Sequence, residues 1–212
     1  MMANLFKNAP SSLYLIMDGE ACAARGIALD DFLVGALEGG AWLIQYRHKN
    51  IDTELYEKNL QRFLPLCVQH HTHLIVNDHA ALAEKFNLPL HIGQEDFLPP
   101  NLSVPYGRSI HNMDELSTVL SAQPAASYIA LGSMFTSPTK PEVKPMRAIA
   151  PMVLEEIEVP LVLIGGISLD NASRLPRSER VFYAIITDTF RFGSTRADIR
   201  RYVESWHRSA SA

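Results

Sequence analysis

One pattern constrains this chain more than any other: short apolar runs rich in β-branched residues recur along it, each followed by a segment with helical spacing. The runs are Leu13–Asp18, Trp42–Arg47, His73–Asp78, Pro89–Gly93, Tyr106–His111, Tyr128–Phe135, Leu161–Ile167 and Val181–Thr187. Most are nearly continuous in apolar character, as strands covered on both faces must be, whereas half-exposed antiparallel strands would alternate. Helical patterns lie near 29–40, 53–70, 80–87, 113–122, 147–157, 169–175 and 195–208. In the last, Ile199, Val203 and Trp206 share a face, and Thr195 with Asp198 fits a capping box. Pro65 should kink or end the second helix, and the Pro-rich stretch 94–105 reads mostly as loop. Regular β–α alternation implies parallel pairing through right-handed crossovers. Eight such units predict an α/β fold of one domain over residues 1–212, a closed (β/α)₈ TIM barrel. The rival open sheet has no GxGxxG after its first strand to support it.

Charge and cysteine content narrow the partners. Nineteen basic against 23 acidic residues leave a net charge of −4, with no basic excess to neutralise a nucleic-acid backbone. Small phosphorylated ligands stay open, since they need only a few placed cations and amides. Cys22 and Cys67 are isolated and suit a reducing compartment. Residues 1–12 hold no signal-type apolar core, and no stretch approaches the ~20 apolar residues of a membrane span. The chain is therefore read as soluble and cytoplasmic, without a membrane partner; a homo-oligomer is allowed.

Polar residues gather at the C-terminal ends of the predicted strands, which in a barrel all open on the catalytic face. Alternation sends Gln45, Arg47 and Lys49 to one side. Asn77-Asp78 ends the third strand, and Asp96 follows the fourth. Ser109 and His111 lie on the fifth, Ser137-Pro-Thr139-Lys140 follows the sixth, and Gly165-Gly166 follows the seventh. Each has a plainer reading: Asp78 could cap the helix starting near Ala80, and Gly165-Gly166 could be only a tight turn. Together, two carboxylates facing three cations suggest a metal site beside an anion site. Mg²⁺ takes one or two carboxylates and completes its shell with water and phosphate oxygens. His70, His71 and His73 lie where a helix enters the third strand, on the opposite face, and read as structural. His48 should point away from Arg47 and Lys49.

The stretches QYRHK (45–49), VNDHAALA (76–83), HIGQED (91–96), GRSIH (107–111), LGSMFTSPTK (131–140) and LIGGISLDN (163–171) resemble those of the thiamine phosphate synthase family, in the same order over most of the chain. The resemblance implies that hydroxymethylpyrimidine pyrophosphate loses pyrophosphate and that a thiazole phosphate nitrogen captures the pyrimidine methylene cation. It implies that Arg47, Lys49 and Lys140 hold the pyrophosphate, with Gln45 and Asn77 at the pyrimidine and pyrophosphate and Ser109 beside both. Asp78 and Asp96 would hold Mg²⁺; Ser137, Thr139, Gly166 and Thr187 would contact the thiazole phosphate. The stretch 136–145 is the candidate lid. One departure stands out: Asp188 occupies a position where the family carries a small residue, and a carboxylate beside a phosphate is repulsive unless it is turned away or paired. Two alternatives stay open, a thiazole tautomerase-like isomerase using His111 and a non-catalytic paralogue that binds a thiamine precursor.

Overall fold

A computed structural model describes residues 5–93, 96–136, 146 and 148–210. Eight parallel strands close in chain order: β1 (Leu13–Asp18), β2 (Leu43–Arg47), β3 (His73–Asn77), β4 (Leu90–Ile92), β5 (Tyr106–Ile110), β6 (Tyr128–Gly132), β7 (Leu161–Ile164) and β8 (Val181–Ile185), with β8 paired to β1. The predicted barrel is thus the observed one. Helices α1 (Gly19–Ala23), α2 (Leu29–Glu38), α3 (Thr53–Gln69), α4 (Ala80–Phe86), α5 (Met113–Ser121), α6 (Ala150–Glu156) and α7 (Arg196–Ala210) lie between and after the strands. Among the described residues no helix is long and apolar enough to cross a membrane.

Local chemistry explains the boundaries. Asp52 caps α3 by accepting from the Glu54 amide at 2.8 Å, and Asn112 caps α5 through the Glu115 amide. The capping box at Thr195 forms as expected, with the Thr195 amide donating to Asp198 Oδ2 at 3.0 Å and the Asp198 amide returning to Thr195 Oγ1. Pro65 does not end α3, which continues to Gln69. Buried Phe63 and Cys67 flank it, so packing offsets the lost backbone hydrogen bond. The expected helix at 169–175 shrinks to a 3₁₀ turn, Ala172–Arg174, because Pro176 follows and the Leu169 amide is drawn away by the Asp188 carboxylate. No helix forms over 96–105. The sixth to eighth strands stop two or three residues short of their apolar runs. Met134 and Ile167, beyond the strand ends, are buried in the loops, so hydrophobicity there marks burial without pairing.

Two cores follow from the period-2 alternation. One lies between barrel and helices; the other fills the barrel interior with Tyr14, Ile16, Leu43, Ile75, Tyr128, Ala130, Val162, Phe182 and Ala184. Phe6, from the turn before β1, joins this interior, its ring centroid 4.6 Å from Phe182 and 5.0 Å from Tyr128. The apolar fill thus lies toward the N-terminal ends of the strands, and the polar inward residues lie at the other end. Gly107 permits it: a Cβ there would fall 2.0 Å from the Tyr128 ring, so only glycine lets that ring lie against β5. Gly107→Ala should therefore lower stability by about 3 kcal/mol, seen as a reduced urea midpoint at unchanged m value. An unaltered midpoint would show that Tyr128 has room to move.

Candidate active site

The site is built where β2 to β5 end. Arg47 lies in register with Asp18 of β1, and their side chains form an ion pair. Asp18 is buried and uses both oxygens, Oδ1 capping α1 through the Ala21 amide at 2.8 Å and Oδ2 holding Arg47. Glu20 Oε2 stands a further 3.8 Å from the guanidinium. Lys49, half exposed, places Nζ 3.6 Å from Asp78 Oδ2. The two cations expected to share a face do so, and each arrives with a carboxylate partner.

Asp78 adopts a left-handed backbone, φ 65°, and does not cap the following helix, whose N-cap is His79 without a side-chain bond. The plainer reading of Asp78 therefore fails, and its carboxylate is available to the site. Burial pushes its pKa up; Lys49 pulls it down, and the adjacent Asp96 carboxylate raises it again. Asp96 Oδ2 accepts from the Gly93 amide at 2.8 Å, while the Arg108 guanidinium donates to its carbonyl. Two carboxylates from the ends of β3 and β4 therefore crowd each other, an arrangement that a cation relieves. Behind them, Tyr56 Oη donates to the Tyr46 carbonyl at 2.6 Å and accepts from the Asn77 amide at 3.2 Å, tying β2 to β3.

Gln45 and Asn77 are buried at the barrel mouth. Gln45 Nε2 donates to Tyr14 Oη at 2.9 Å, and Ser109 Oγ lies 3.1 Å from His91 Nε2. His91, Tyr14, Tyr128 and Asp18 are the residues that sequence reasoning missed. A usable signal existed for His91: between outward Leu90 and Ile92, alternation turns it inward. Burial, the largest influence, lowers its pKa to about 4.

Ser137, Thr139 and Lys140 lie outside the described residues, as does nearly all of the candidate lid. Gly166 has φ 62°, and a Cβ on it would meet Phe135 Cβ at 2.9 Å, so both backbone and packing require glycine there. Thr187 is exposed at the start of the 3₁₀ turn Thr187–Phe190. His111 places Nδ1 3.4 Å from Glu115 Oε2 at the start of α5, and His48 packs against Gly19. His73 begins β3, at the opposite end of the barrel, with its ring edge-on to Trp42.

Asp188 resolves the departure noted above. Its Oδ2 accepts from the Leu169 amide at 2.9 Å and from Tyr202 Oη at 3.0 Å, while Oδ1 accepts from Arg191 Nε at 3.2 Å. Arg191 also forms a bidentate pair with Asp170. The carboxylate is paired through both of its oxygens. It anchors α7 to the loop after β7.

Fold and site together define a (β/α)₈-barrel enzyme whose C-terminal face gathers cations beside paired carboxylates. Residues 13–188 match the family described as thiamine monophosphate synthase. The chain is 35% identical over 174 residues to the thiamine-phosphate synthase of Thioalkalivibrio sulfidiphilus (strain HL-EbGR7), covering 78% of this chain and 82% of that one. It superposes on thiamine phosphate pyrophosphorylase from Pyrococcus furiosus with a TM-score of 0.76 at 23% identity, over 96% of this chain and 98% of the other. A second such enzyme, from Bacteroides thetaiotaomicron, gives 0.63 at 14% identity, over 94% and 98%. These two likenesses bear on the fold. The chain belongs to the thiamine monophosphate synthase family, and it is a transferase of thiamine biosynthesis.

The anchoring of Asp188 yields a prediction. Asp188→Ala should cost about 2–4 kcal/mol of stability, because it leaves the Leu169 amide and Tyr202 without their acceptor and removes one of the two carboxylates that hold Arg191, and it should bring no gain in turnover. A variant as stable as the parent and more active would show instead that the carboxylate obstructs the site.

Proposed function

We propose that this site joins hydroxymethylpyrimidine pyrophosphate to thiazole phosphate, releasing pyrophosphate, and that Arg47, Lys49 and Lys140 receive the leaving group. The observation that carries the reading is the meeting of Asp78 and Asp96 beside Lys49, with Arg47 on the neighbouring strand. Asp18 keeps the Arg47 guanidinium oriented before substrate arrives, so little reorganisation is needed when charge develops on the departing oxygens. Gln45, Asn77 and Ser109 would orient the pyrimidine, and the burial of Gln45 and Asn77 would keep water from the reacting methylene. Ser137, Thr139, Gly166 and Thr187 would hold the thiazole phosphate, and the pairing of Asp188 with Arg191 would offset its charge toward that anion.

The donor set fits Mg²⁺: two adjacent carboxylates, one with its pKa raised by burial and by its neighbour, leave room for water and phosphate oxygens. Bound there by Asp78 and Asp96, the ion would supply charge neutralisation to the leaving pyrophosphate. A cytoplasmic location is supported by two buried free thiols, Cys22 and Cys67; the net charge of −4 supports small molecules over nucleic acid as partners.

Incubating the purified protein with both substrates and MgCl₂ should yield thiamine phosphate and pyrophosphate; absence of product beside an active synthase control rejects the reading. Lys140→Ala should reduce turnover on the order of a hundredfold with the thermal midpoint unchanged. The metal assignment predicts a pH dependence of known sign. Asp78 has a raised pKa in the metal-free fold, so it retains its proton there at pH values where the unfolded chain has lost it, and stability without metal falls as pH rises through that window. Mg²⁺ needs both carboxylates ionised, so MgCl₂ should raise the melting temperature more at pH 8 than at pH 5. Equal shifts at the two pH values would count against Asp78 and Asp96 as its ligands.

A further inference from the structure

Beneath the site runs a line of polar groups, three of which the proposed chemistry does not use. Gln45 Nε2 donates to Tyr14 Oη at 2.9 Å; Tyr14 Oη lies 2.7 Å from Tyr128 Oη; Tyr128 Oη lies 2.8 Å from His91 Nδ1; and His91 Nε2 lies 3.1 Å from Ser109 Oγ. The line crosses the barrel interior from β2 through β1, β6 and β4 to β5. Its two ends, Gln45 and Ser109, are residues placed at the substrate. The three between them are buried, all with less than a tenth of their surface exposed.

Hydrogen counting gives the line a direction. Each tyrosine has one hydroxyl proton, and a buried donor is costly to leave unpaired. With Gln45 donating, the Tyr14 proton goes to Tyr128, and the Tyr128 proton must then go to His91 Nδ1. The imidazole accepts at Nδ1, so its single proton sits on Nε2 and is donated to Ser109 Oγ. With its oxygen accepting from His91, the serine has its own O–H to present to a ligand. Reversing any one bond strands a proton or sets two donors against each other, so the groups change polarity together or not at all. Burial holds His91 neutral and pushes both tyrosines well above their ordinary range, so each group carries the proton count used here.

We propose that Tyr14, Tyr128 and His91 form a one-way hydrogen-bond line that fixes the Ser109 hydroxyl as a donor, making them positioning residues that select an acceptor atom on the pyrimidine pyrophosphate. The proposal rests on the synthase reading. It assigns a specificity role to side chains that never touch substrate: a ligand with an acceptor at the Ser109 position pairs with its O–H, whereas one with only a donor there leaves that O–H unpaired and binds less tightly. Gly107 belongs to the same device, since it makes space for the Tyr128 ring over β5.

The direct test is the tautomer of His91 in the full-length enzyme, read from ¹⁵N ring shifts. The proposal expects the proton on Nε2; a proton on Nδ1 overturns it. Tyr128→Phe keeps the ring and removes the link. It should raise KM for the pyrimidine pyrophosphate roughly tenfold, the worth of one well-placed hydrogen bond, leave KM for thiazole phosphate unchanged, and free His91 to populate both tautomers. In a Ser109→Ala background the same change should add almost nothing to KM. Full additivity would mean that Tyr128 acts only on packing and would overturn the proposal; if Tyr128→Phe fails to fold, the wild-type tautomer decides. A wild-type enzyme without turnover rejects the synthase reading itself. An active one with His91 protonated at Nδ1 rejects the directed line alone.

Discussion

The pairing of β1 with β8 closes the sheet, and the rest of the structure depends on that closure. An open parallel sheet would leave two edges and spread its strand ends along a line. The closed one turns alternate residues of every strand into a shared interior and brings the ends of β1 to β5 within side-chain reach of one another. Asp18 and Arg47 meet across β1 and β2; Asp78 and Asp96 meet across β3 and β4. Tyr14 and Tyr128, 114 positions apart, share a hydrogen bond because both point down the same axis.

That interior is graded in polarity. Phe6, Trp42 and Phe182 crowd its N-terminal end, and above them the tyrosine hydroxyls give way to Gln45, His91 and Ser109. Burying polar atoms in such a place is unfavourable unless each is bonded; the line from Gln45 to Ser109 meets that demand and carries order upward to the site. The rigidity of the site has its source below the reacting atoms as well as around them.

Electrostatics show the same preparation. An anion site made of bare cations would repel itself, yet here Arg47 leans on Asp18 and Lys49 on Asp78. The carboxylates keep the cations in place at moderate mutual repulsion, and burial raises the Asp78 pKa while Lys49 lowers it. Asp188 illustrates the converse. Its negative charge is met by three donors, one of them Tyr202 from α7, and it becomes a brace between the C-terminal helix and the barrel.

Most of the fold was legible from the residues alone, because parallel strands buried on both faces and amphipathic helices write their periods into the sequence. Gln45 and Arg47 could be placed on one side by alternation, and Asn77, Asp78 and Ser109 at the strands' C-terminal ends by strand polarity, neither of which needs knowledge of neighbours. Pro65 does not end α3, since tertiary packing outweighs a local break, and the runs after β6 and β7 misled because burial and pairing are different things. The partners of Arg47, the pairing of Asp188 and the inward line through His91 were beyond the sequence. Alternation fixes which way a side chain points; which atom it meets depends on distances between segments far apart in the chain, and only the closed barrel sets those.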